Sequence, residues 1–299
     1  MTKRFITLLL ALTMVFACAV PVMADDDLPD GSYIQGDEED YEIEGEFTVT
    51  LTIQSHKVSS HGPICYYYLP VTLGEEDESD FFTVADVLDA AADQYTNLSF
   101  LNGSLEPMHQ GSYLYAVQDT DVWTDPFTVQ SFYQSGTTCY YGWMFRINGM
   151  IPMVNASTGA LLNQAYVQEN DNITLYFATI ESETVATRST KIMYLGSYNG
   201  VQYFRLIESH CYASSGTGGW TITDYDYLAN ESVTIVVDGY TNNPITYTGT
   251  TNDYGIIGFT SISGTHTIEL RPKYVPVTKN NIQYYIPTHT GDIIGVNFY

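Results

Sequence analysis

Apolar and polar residues alternate along the first patterned stretch of the chain. Within residues 47–53 every second residue is apolar, and the residues between them are threonines. A period of two with β-branched residues is typical of a half-buried β-strand. Similar short runs recur further along, at residues 112–117, 140–147, 172–178, 232–237, 244–248 and 265–270. The pattern therefore predicts a mainly β protein.

One segment, residues 82–91, has the period of a helix instead. Its apolar residues recur at positions i, i+3, i+4 and i+7, which places them on one helical face: Val84, Val87, Leu88 and Ala91. Thr83 can cap the first turn, and Asp86 can return the bond as in a capping box. The sequence thus predicts a single helix packed on a sheet.

Composition divides the rest of the chain into two domains. Residues 181–190 lack large apolar side chains apart from one valine, so we place a linker there. Residues 42–180 form the N-terminal domain, which contains the helix. In residues 191–299 the β-type runs are separated by Gly, Asn and Asp clusters at intervals of about ten residues, which is typical of an antiparallel sandwich or barrel. We therefore predict an all-β sandwich-like C-terminal domain.

The pair Asn148-Gly149 is the strongest local turn signal. Apolar residues flank it on both sides, and an Asn-Gly loop between apolar runs is typical of a β-hairpin. We predict that the strand pair around this turn is central to the N-terminal domain.

Alternation along the strand before this turn separates a core face from a candidate binding face. Trp143, Phe145 and Ile147 point to one side, which we assign to the core. The other side carries the candidate ligand-binding residues Tyr140, Met144 and Arg146. If the assignment is reversed, Trp143 is the alternative ligand platform.

The N-terminus has the order of a secretory signal peptide. Lys3 and Arg4 precede an apolar run that ends at Ala24, before an acidic stretch. A lipoprotein signal using Cys18 is the alternative. Residues 25–41 are rich in acidic side chains, so we predict a disordered leader there. The predicted localisation is secreted and extracellular.

Charge limits the partners of the mature chain. All 35 acidic residues lie after Ala24, and the loss of Lys3 and Arg4 takes the net charge from −25 to −27. Such a surface repels phosphate backbones and anionic lipid headgroups. We therefore expect neither nucleic acid nor a membrane surface as partner.

The sequence contains no motif of a common enzyme class. It has no Gly-x-Ser-x-Gly elbow, P-loop, dinucleotide fingerprint, His-Glu-x-x-His or Cys-x-x-Cys pair. The three cysteines after the signal peptide allow one disulfide, such as Cys65 with Cys139, and a nucleophilic Cys139 with a distant histidine is a second possibility. Residues 119–125 carry carboxylates at calcium-loop spacing but lack the loop's Gly and Glu, which favours a solvated loop. We predict a protein that is not an enzyme and holds no metal.

Four segments within residues 47–178 resemble the transcobalamin-like C-terminal domain family in order and spacing. They are residues 83–88, 113–117, 142–149 and 172–176, of which the third, Gly-Trp-Met-Phe-Arg-Ile-Asn-Gly, is the most specific. The resemblance implies a β-grasp-like N-terminal domain and, as in the vertebrate carriers, a corrinoid ligand. Those carriers also use a helical domain, which this chain lacks. Bacterial members have Gly-Asp before the closing strand, where this chain has Glu169-Asn-Asp-Asn172.

The C-terminal domain more faintly resembles collagen-adhesin B-type and prealbumin-like stalk modules. The matching segments are residues 251–255, Phe259 and residues 264–270. Some of these modules join a first-strand Lys to a last-strand Asn, for which Lys191 and Asn297 are the candidates here. The position of the family's assisting acid holds Leu270, so we expect no isopeptide bond.

Two hypotheses for function follow. The 26 tyrosines, several in adjacent pairs, suit contacts with extracellular protein or glycan. The first hypothesis is therefore a secreted binding or adhesion module of a bacterial cell envelope, without catalytic activity or cofactor. The alternative is extracellular capture of a corrinoid such as cobalamin.

Overall fold

The computed structural model describes most of the chain after the leader. The described residues are 28, 32–41, 45–55, 57–58, 64–74, 81–102, 104–107, 113–128, 139–155, 158–181, 184–185, 187–209, 211–213, 220–222, 225–239, 241, 243–260, 263–279 and 281–298. The predicted signal peptide lies outside them. No helix within these ranges is long and apolar enough to cross a membrane.

The described residues are mainly β with one α-helix, as predicted. The α-helix is α1 (Val84–Gln94), and two short 3-10 helices are η1 (Glu38–Tyr41) and η2 (Leu162–Gln164). The strands are β1 (Ser32–Ile34), β2 (Phe47–Gln54), β3 (Lys57–Val58), β4 (Cys65–Leu73), β5 (Phe82–Thr83), β6 (Leu98–Leu101), β7 (Ala116–Asp119), β8 (Trp123–Thr128), β9 (Cys139–Ile147), β10 (Ile151–Asn155), β11 (Thr158–Gly159), β12 (Tyr166–Val167), β13 (Asn172–Glu181), β14 (Thr184–Val185), β15 (Ser189–Tyr198), β16 (Val201–Ser209), β17 (Cys211–Ala213), β18 (Trp220–Ile222), β19 (Asp226–Tyr227), β20 (Ser232–Val237), β21 (Ile245–Thr250), β22 (Ile256–Thr260), β23 (Gly264–Leu270), β24 (Lys273–Lys279), β25 (Ile282–His289) and β26 (Asp292–Phe298).

The N-terminal half is built on a mixed sheet centred on β2 and β13. These two strands run parallel, β4 pairs antiparallel with β2, and β9 pairs antiparallel with β13. The apolar residues that alternate along β2 all point into one core: Phe47, Val49, Leu51 and Ile53. Helix α1 covers that face of the sheet, and its predicted apolar residues are all buried. Burial of these two faces against each other is the main stabilising contribution of this half.

The predicted cap of the helix is confirmed. Thr83 is the N-cap residue, and its backbone N–H donates to Asp86 Oδ2 at 2.7 Å. The Thr83 hydroxyl donates to the same oxygen at 2.7 Å. Asp86 thereby satisfies groups at the helix start that would otherwise lack a partner.

The predicted Asn148-Gly149 turn is confirmed, but its strand pairing is not. Both residues have positive φ, 53° and 81°, and Ile147 and Met150 exchange hydrogen bonds of 2.9 and 3.0 Å across the turn. After that bridge, β10 leaves β9 and pairs with β1 and β11. It packs instead over the second face of β9 and β13, in a small core with Tyr176 and Ala178.

Part of the predicted acidic leader has regular structure. Residues of β1 pair in parallel with β10, and Tyr33 packs against the main core. Tyr41 lies 5.1 Å from the Tyr166 ring, centroid to centroid. Burial of these aromatic rings stabilises the ordered part of the leader. The prediction of disorder considered only the acidic composition and not these rings.

The C-terminal half is a β-sandwich, in agreement with the prediction. One sheet has β16 between β15 and the pair β19 and β22, and the other has the order β21-β20-β23-β26. The core between them contains the stacked rings of Phe204 and Phe259, whose centroids lie 4.9 Å apart.

The two halves share sheets across a seam. Strands β14, β17 and β18 extend the N-terminal mixed sheet, and β3 of the N-terminal half pairs with β25. Within the predicted linker, Ser189 and Thr190 lie in β15 and are buried. The start of the C-terminal half is therefore packed into the protein through backbone pairing, which does not require large apolar side chains.

Candidate functional site

The seam contains one of the predicted ligand-binding residues. Arg146 is 2% exposed. Its guanidinium donates to Gly149 O at 2.8 Å, to Ser209 Oγ at 2.7 Å and to the Tyr225 hydroxyl. Ser209 and Tyr225 belong to the C-terminal half. The structure therefore holds Arg146 between the halves and does not present it to solvent.

The other predicted residues of this strand separate onto two faces, as predicted. Trp143 is 7% exposed and meets Phe177 edge-on at 5.3 Å in the main core. Met144 is half-buried against the small core on the opposite face. The side chain of Tyr140 lies outside the described residues. The structure does not bring the three predicted residues together at an open surface, and their role in binding stays a prediction.

The C-terminal half contains a cavity of about 210 Å³. Its lining comes from the start of β20, the β23–β24 connection, the end of β25 and the start of β15. The lining residues are hydroxyl, charged or apolar: Thr190, Leu228, Glu231, Ser232, Val233, Thr234, Leu270, Arg271, Pro272, Lys273, His289 and Thr290. We call this cavity the charged pocket.

Each cation of the charged pocket has a carboxylate beside it. Lys273 Nζ lies 2.6 Å from Glu231 Oε2, and this hydrogen bond lowers the pKa of Glu231. Arg271 lies 2.7 Å from Glu269. Burial raises the pKa of Glu269, although the charge of Arg271 opposes that rise.

A third ion pair lies behind the lining residue His289. Arg188 donates to Glu208 Oε1 at 2.8 Å, and His289 Nε2 lies 3.4 Å from Glu208 Oε2. Burial favours the neutral carboxyl, yet His289 and Arg188 together lower the pKa of Glu208. In and directly behind the lining, three arginine or lysine cations are thus paired with three carboxylates, in a chain whose net charge is −25. The pocket is close to neutral within a strongly acidic protein.

Two threonines close the pocket on the side of the seam. Thr190 N donates to Thr290 Oγ1 at 2.9 Å, and the Thr190 hydroxyl donates to the Thr290 carbonyl. Because both hydroxyls already take part in hydrogen bonds, neither is arranged as an activated nucleophile. The ion pairs offer hydrogen-bond donors and acceptors beside the apolar surface of Leu228 and Pro272.

One of the carboxylates at calcium-loop spacing, Asp119, has a structural role. Asp119 is fully buried rather than solvated. It accepts hydrogen bonds from the Tyr66 hydroxyl at 2.6 Å and from Asn97 at 3.0 Å. In the described part of the chain, no three His, Cys, Asp or Glu residues are grouped to hold a metal ion.

The two candidates for an isopeptide bond, Lys191 and Asn297, have different surroundings. Lys191 Nζ reaches the seam, 3.4 Å from the Asn148 carbonyl, whereas Asn297 is exposed on β26. The side chains of Cys65, Cys139 and Cys211 lie outside the described residues.

Sequence reasoning missed the charged pocket. Glu231 precedes β20, and Lys273 and His289 lie at the ends of two later strands, so the local pattern carries no sign that the three residues meet. The one available signal was the pair of cations at Arg271 and Lys273 in an otherwise acidic chain.

Comparison of the chain with protein-family models, with curated proteins and with solved structures finds no match.

Proposed function

We propose that the protein is a secreted, non-catalytic binding module of a bacterial cell envelope, and that it binds a neutral glycan in the charged pocket. The observation that carries this proposal is the pairing of every lysine and arginine lining the pocket with a carboxylate. A site without excess charge favours a neutral ligand. Alternating donors and acceptors beside apolar surface match a sugar ring, which has hydroxyls at its edge and C–H groups on its faces.

The size of the pocket separates this function from corrinoid capture. Ligand sites for drug-sized molecules are typically about 300–1,000 Å³, and a corrinoid is larger than such molecules. A cavity of about 210 Å³ suits one sugar ring. The size of the charged pocket therefore favours a sugar over a corrinoid as the ligand of this pocket.

The strand order of the N-terminal half supports the β-grasp-like interpretation of that half. β2 lies between antiparallel β4 and parallel β13, and α1 crosses one face of this sheet. In this proposal the N-terminal half supports the C-terminal half through the seam, and the ligand is bound by the sandwich.

A panel of neutral saccharides tests the proposal. Isothermal titration with glucose, galactose, mannose and N-acetylglucosamine, and an array of their oligomers, should identify a ligand. Glu231→Gln removes a charged acceptor, so affinity should fall by at least about tenfold. Glu106→Gln, an exposed acid outside the pocket, is the control and should leave affinity unchanged.

A second pair of variants tests the hydroxyl lining. Thr234 lines the pocket, and its cross-strand partner Thr248 is exposed outside it. Thr234→Ala should weaken binding, and Thr248→Ala should not. Equal affinity of all four variants, or binding of cobalamin instead of saccharides, would overturn the proposal.

A further inference from the structure

Arg205 is a buried cation on the face of β16 away from the sandwich core. It is 3% exposed, and its neighbours on the strand, Phe204 and Leu206, point into that core. Across the sheet it pairs with Met193 of β15 and Ile256 of β22. The guanidinium is therefore placed over the middle of a three-stranded surface.

This cation has no partner of opposite charge among the described residues. Its Nε–H is enclosed and donates to no acceptor among the described residues. The Tyr227 ring lies against the guanidinium, with its centroid 5.3 Å from Cζ. The other described lysine and arginine side chains each have a hydrogen bond or a carboxylate: Arg146, Arg188, Lys191, Arg271 and Lys273. Arg205 alone has neither.

A buried cation without an anionic partner among the described residues is unusual in a chain with 35 acidic residues. Removing a charge from water is costly unless an anion or hydrogen-bond acceptors replace the water. The ring of Tyr227 offsets part of that cost. The planar donor group of an arginine is suited to bind both oxygens of a carboxylate.

A second tyrosine contacts the Tyr227 ring that lies beside the guanidinium. Tyr227 meets Tyr254 edge-on, with 6.0 Å between the ring centroids. Tyr254 is 55% exposed. Its turn is held in place because Asn252 Oδ1 accepts hydrogen bonds from Tyr254 N and Ile256 N, each at 2.9 Å. An exposed ring in a fixed turn next to a cation can stack on a ligand whose anionic group meets Arg205.

We propose that Arg205, Tyr227 and Tyr254 bind a sugar that carries a single carboxylate, of the hexuronate class. The carboxylate would lie against the Arg205 guanidinium, and the sugar ring against Tyr254. The net charge of the chain repels ligands with many negative charges, so one carboxylate is favoured over a polyanion. Asp226 and Asp253, exposed residues next to these tyrosines in sequence, can accept hydrogen bonds from sugar hydroxyls and repel ligands that carry further negative charges.

This site is separate from the charged pocket. Tyr227 lies on the Arg205 face, whereas the next residue, Leu228, is part of the sandwich core and lines the pocket. The proposal therefore does not depend on the pocket. Glu231→Gln should leave hexuronate binding unchanged, even if the pocket binds no saccharide.

Isothermal titration of the full mature chain carrying Glu231→Gln, which weakens saccharide binding in the charged pocket, with sodium glucuronate tests the proposal. Glucose, which lacks the carboxylate, and acetate, which lacks the ring, should each bind at least tenfold more weakly than glucuronate. The affinity for glucuronate should fall as salt is added. Equal affinity for acetate or glucose would overturn the proposal, as would tighter binding of a dipeptide with a free C-terminus.

Variants locate the site. Arg205→Lys keeps the charge but not the planar fork, and Tyr254→Ala removes the exposed ring; each should weaken glucuronate binding at least fivefold. Tyr198→Ala, which removes another exposed ring, is the matched control. Circular dichroism shows whether Arg205→Lys folds, and Tyr254→Ala tests the site if it does not. Unchanged affinity in Tyr254→Ala would overturn the proposal.

Discussion

Gln54 and Gly291 exchange two hydrogen bonds across the seam between the halves. Gln54 Nε2 donates to Gly291 O at 3.0 Å, and Gly291 N donates to Gln54 Oε1 at 2.7 Å. Gln54 is fully buried. This one side chain satisfies both backbone groups of a residue 237 positions away, so the seam is a specific contact between the halves.

Loss of this contact should destabilise the whole protein. Gln54→Leu keeps the approximate volume but leaves both polar groups of Gly291 without a partner, which should cost roughly 2–4 kcal/mol. Urea unfolding followed by circular dichroism measures the change. Asn163→Ala, at an exposed amide, should stay within about 0.5 kcal/mol of the parent. A Gln54→Leu protein as stable as the parent would show that the seam is weak.

Arg146 should behave as a stability residue of the seam. Arg146→Ala leaves Ser209 and Tyr225 without their charged partner, so we expect a loss of roughly 2–4 kcal/mol. Thermal unfolding with and without cobalamin distinguishes this role from the predicted ligand role. A variant with parental stability that loses cobalamin binding would favour capture and contradict the seam assignment.

Trp143 should be a core residue and not a ligand platform. Trp143→Ala removes a ring that packs on Phe177 and should cost roughly 3–5 kcal/mol. Val154→Ala, at a side chain that is 47% exposed, is the control and should change little. Denaturant titration measures both variants. Full stability of Trp143→Ala together with lost binding would reverse the face assignment.

The carboxyl of Asp292 should make stability depend on pH. Burial raises its pKa from 3.8 to about 6, although hydrogen bonds from the backbone of Ile192 and Ile293 oppose this rise. Because the folded protein holds the proton more tightly than the unfolded chain, the free energy of unfolding should fall as pH rises from about 4 to about 6. The expected fall is roughly 2–3 kcal/mol.

Asp292→Asn provides the matched comparison. An amide oxygen can still accept the hydrogen bond that Ile192 N donates at 2.8 Å, but it does not titrate. Urea unfolding at pH 4, 5, 6 and 7 should show this contribution in the parent and not in the variant, which should be the more stable of the two at pH 7. Identical pH profiles would show that Asp292 is ionised normally in the folded protein.

Local pattern was enough to predict the elements of this fold. The alternation along β2 and the spacing within α1 reflect which side of each element faces a core, and that information lies within a few residues. The turn at Asn148 and Gly149 was predictable because the required positive φ restricts the residue types. The course of β10 was not, because strand partners are chosen by distant segments.

The candidate sites could not be predicted from local pattern either. Their residues are brought together by contacts between segments that are distant in sequence. Arg146 points away from the main core, as alternation predicts, but the C-terminal half covers it. Glu231 and Lys273 meet because β20 and β24 converge at one end of the sandwich. Arg205 is distinguished by having no carboxylate beside it in the described part of the chain, and a sequence does not record such an absence.

The most direct test of the proposed function is nuclear magnetic resonance mapping of the saccharide that the array selects. Titration into isotopically labelled protein should shift the backbone amides of Glu231, Thr234, Lys273 and Thr290 with a single saturation curve. Those of Met144 and Arg146 should stay unchanged. Shifts confined to Met144 and Arg146, or no shifts at the charged pocket at saturating saccharide, would contradict the assignment of glycan binding to the charged pocket.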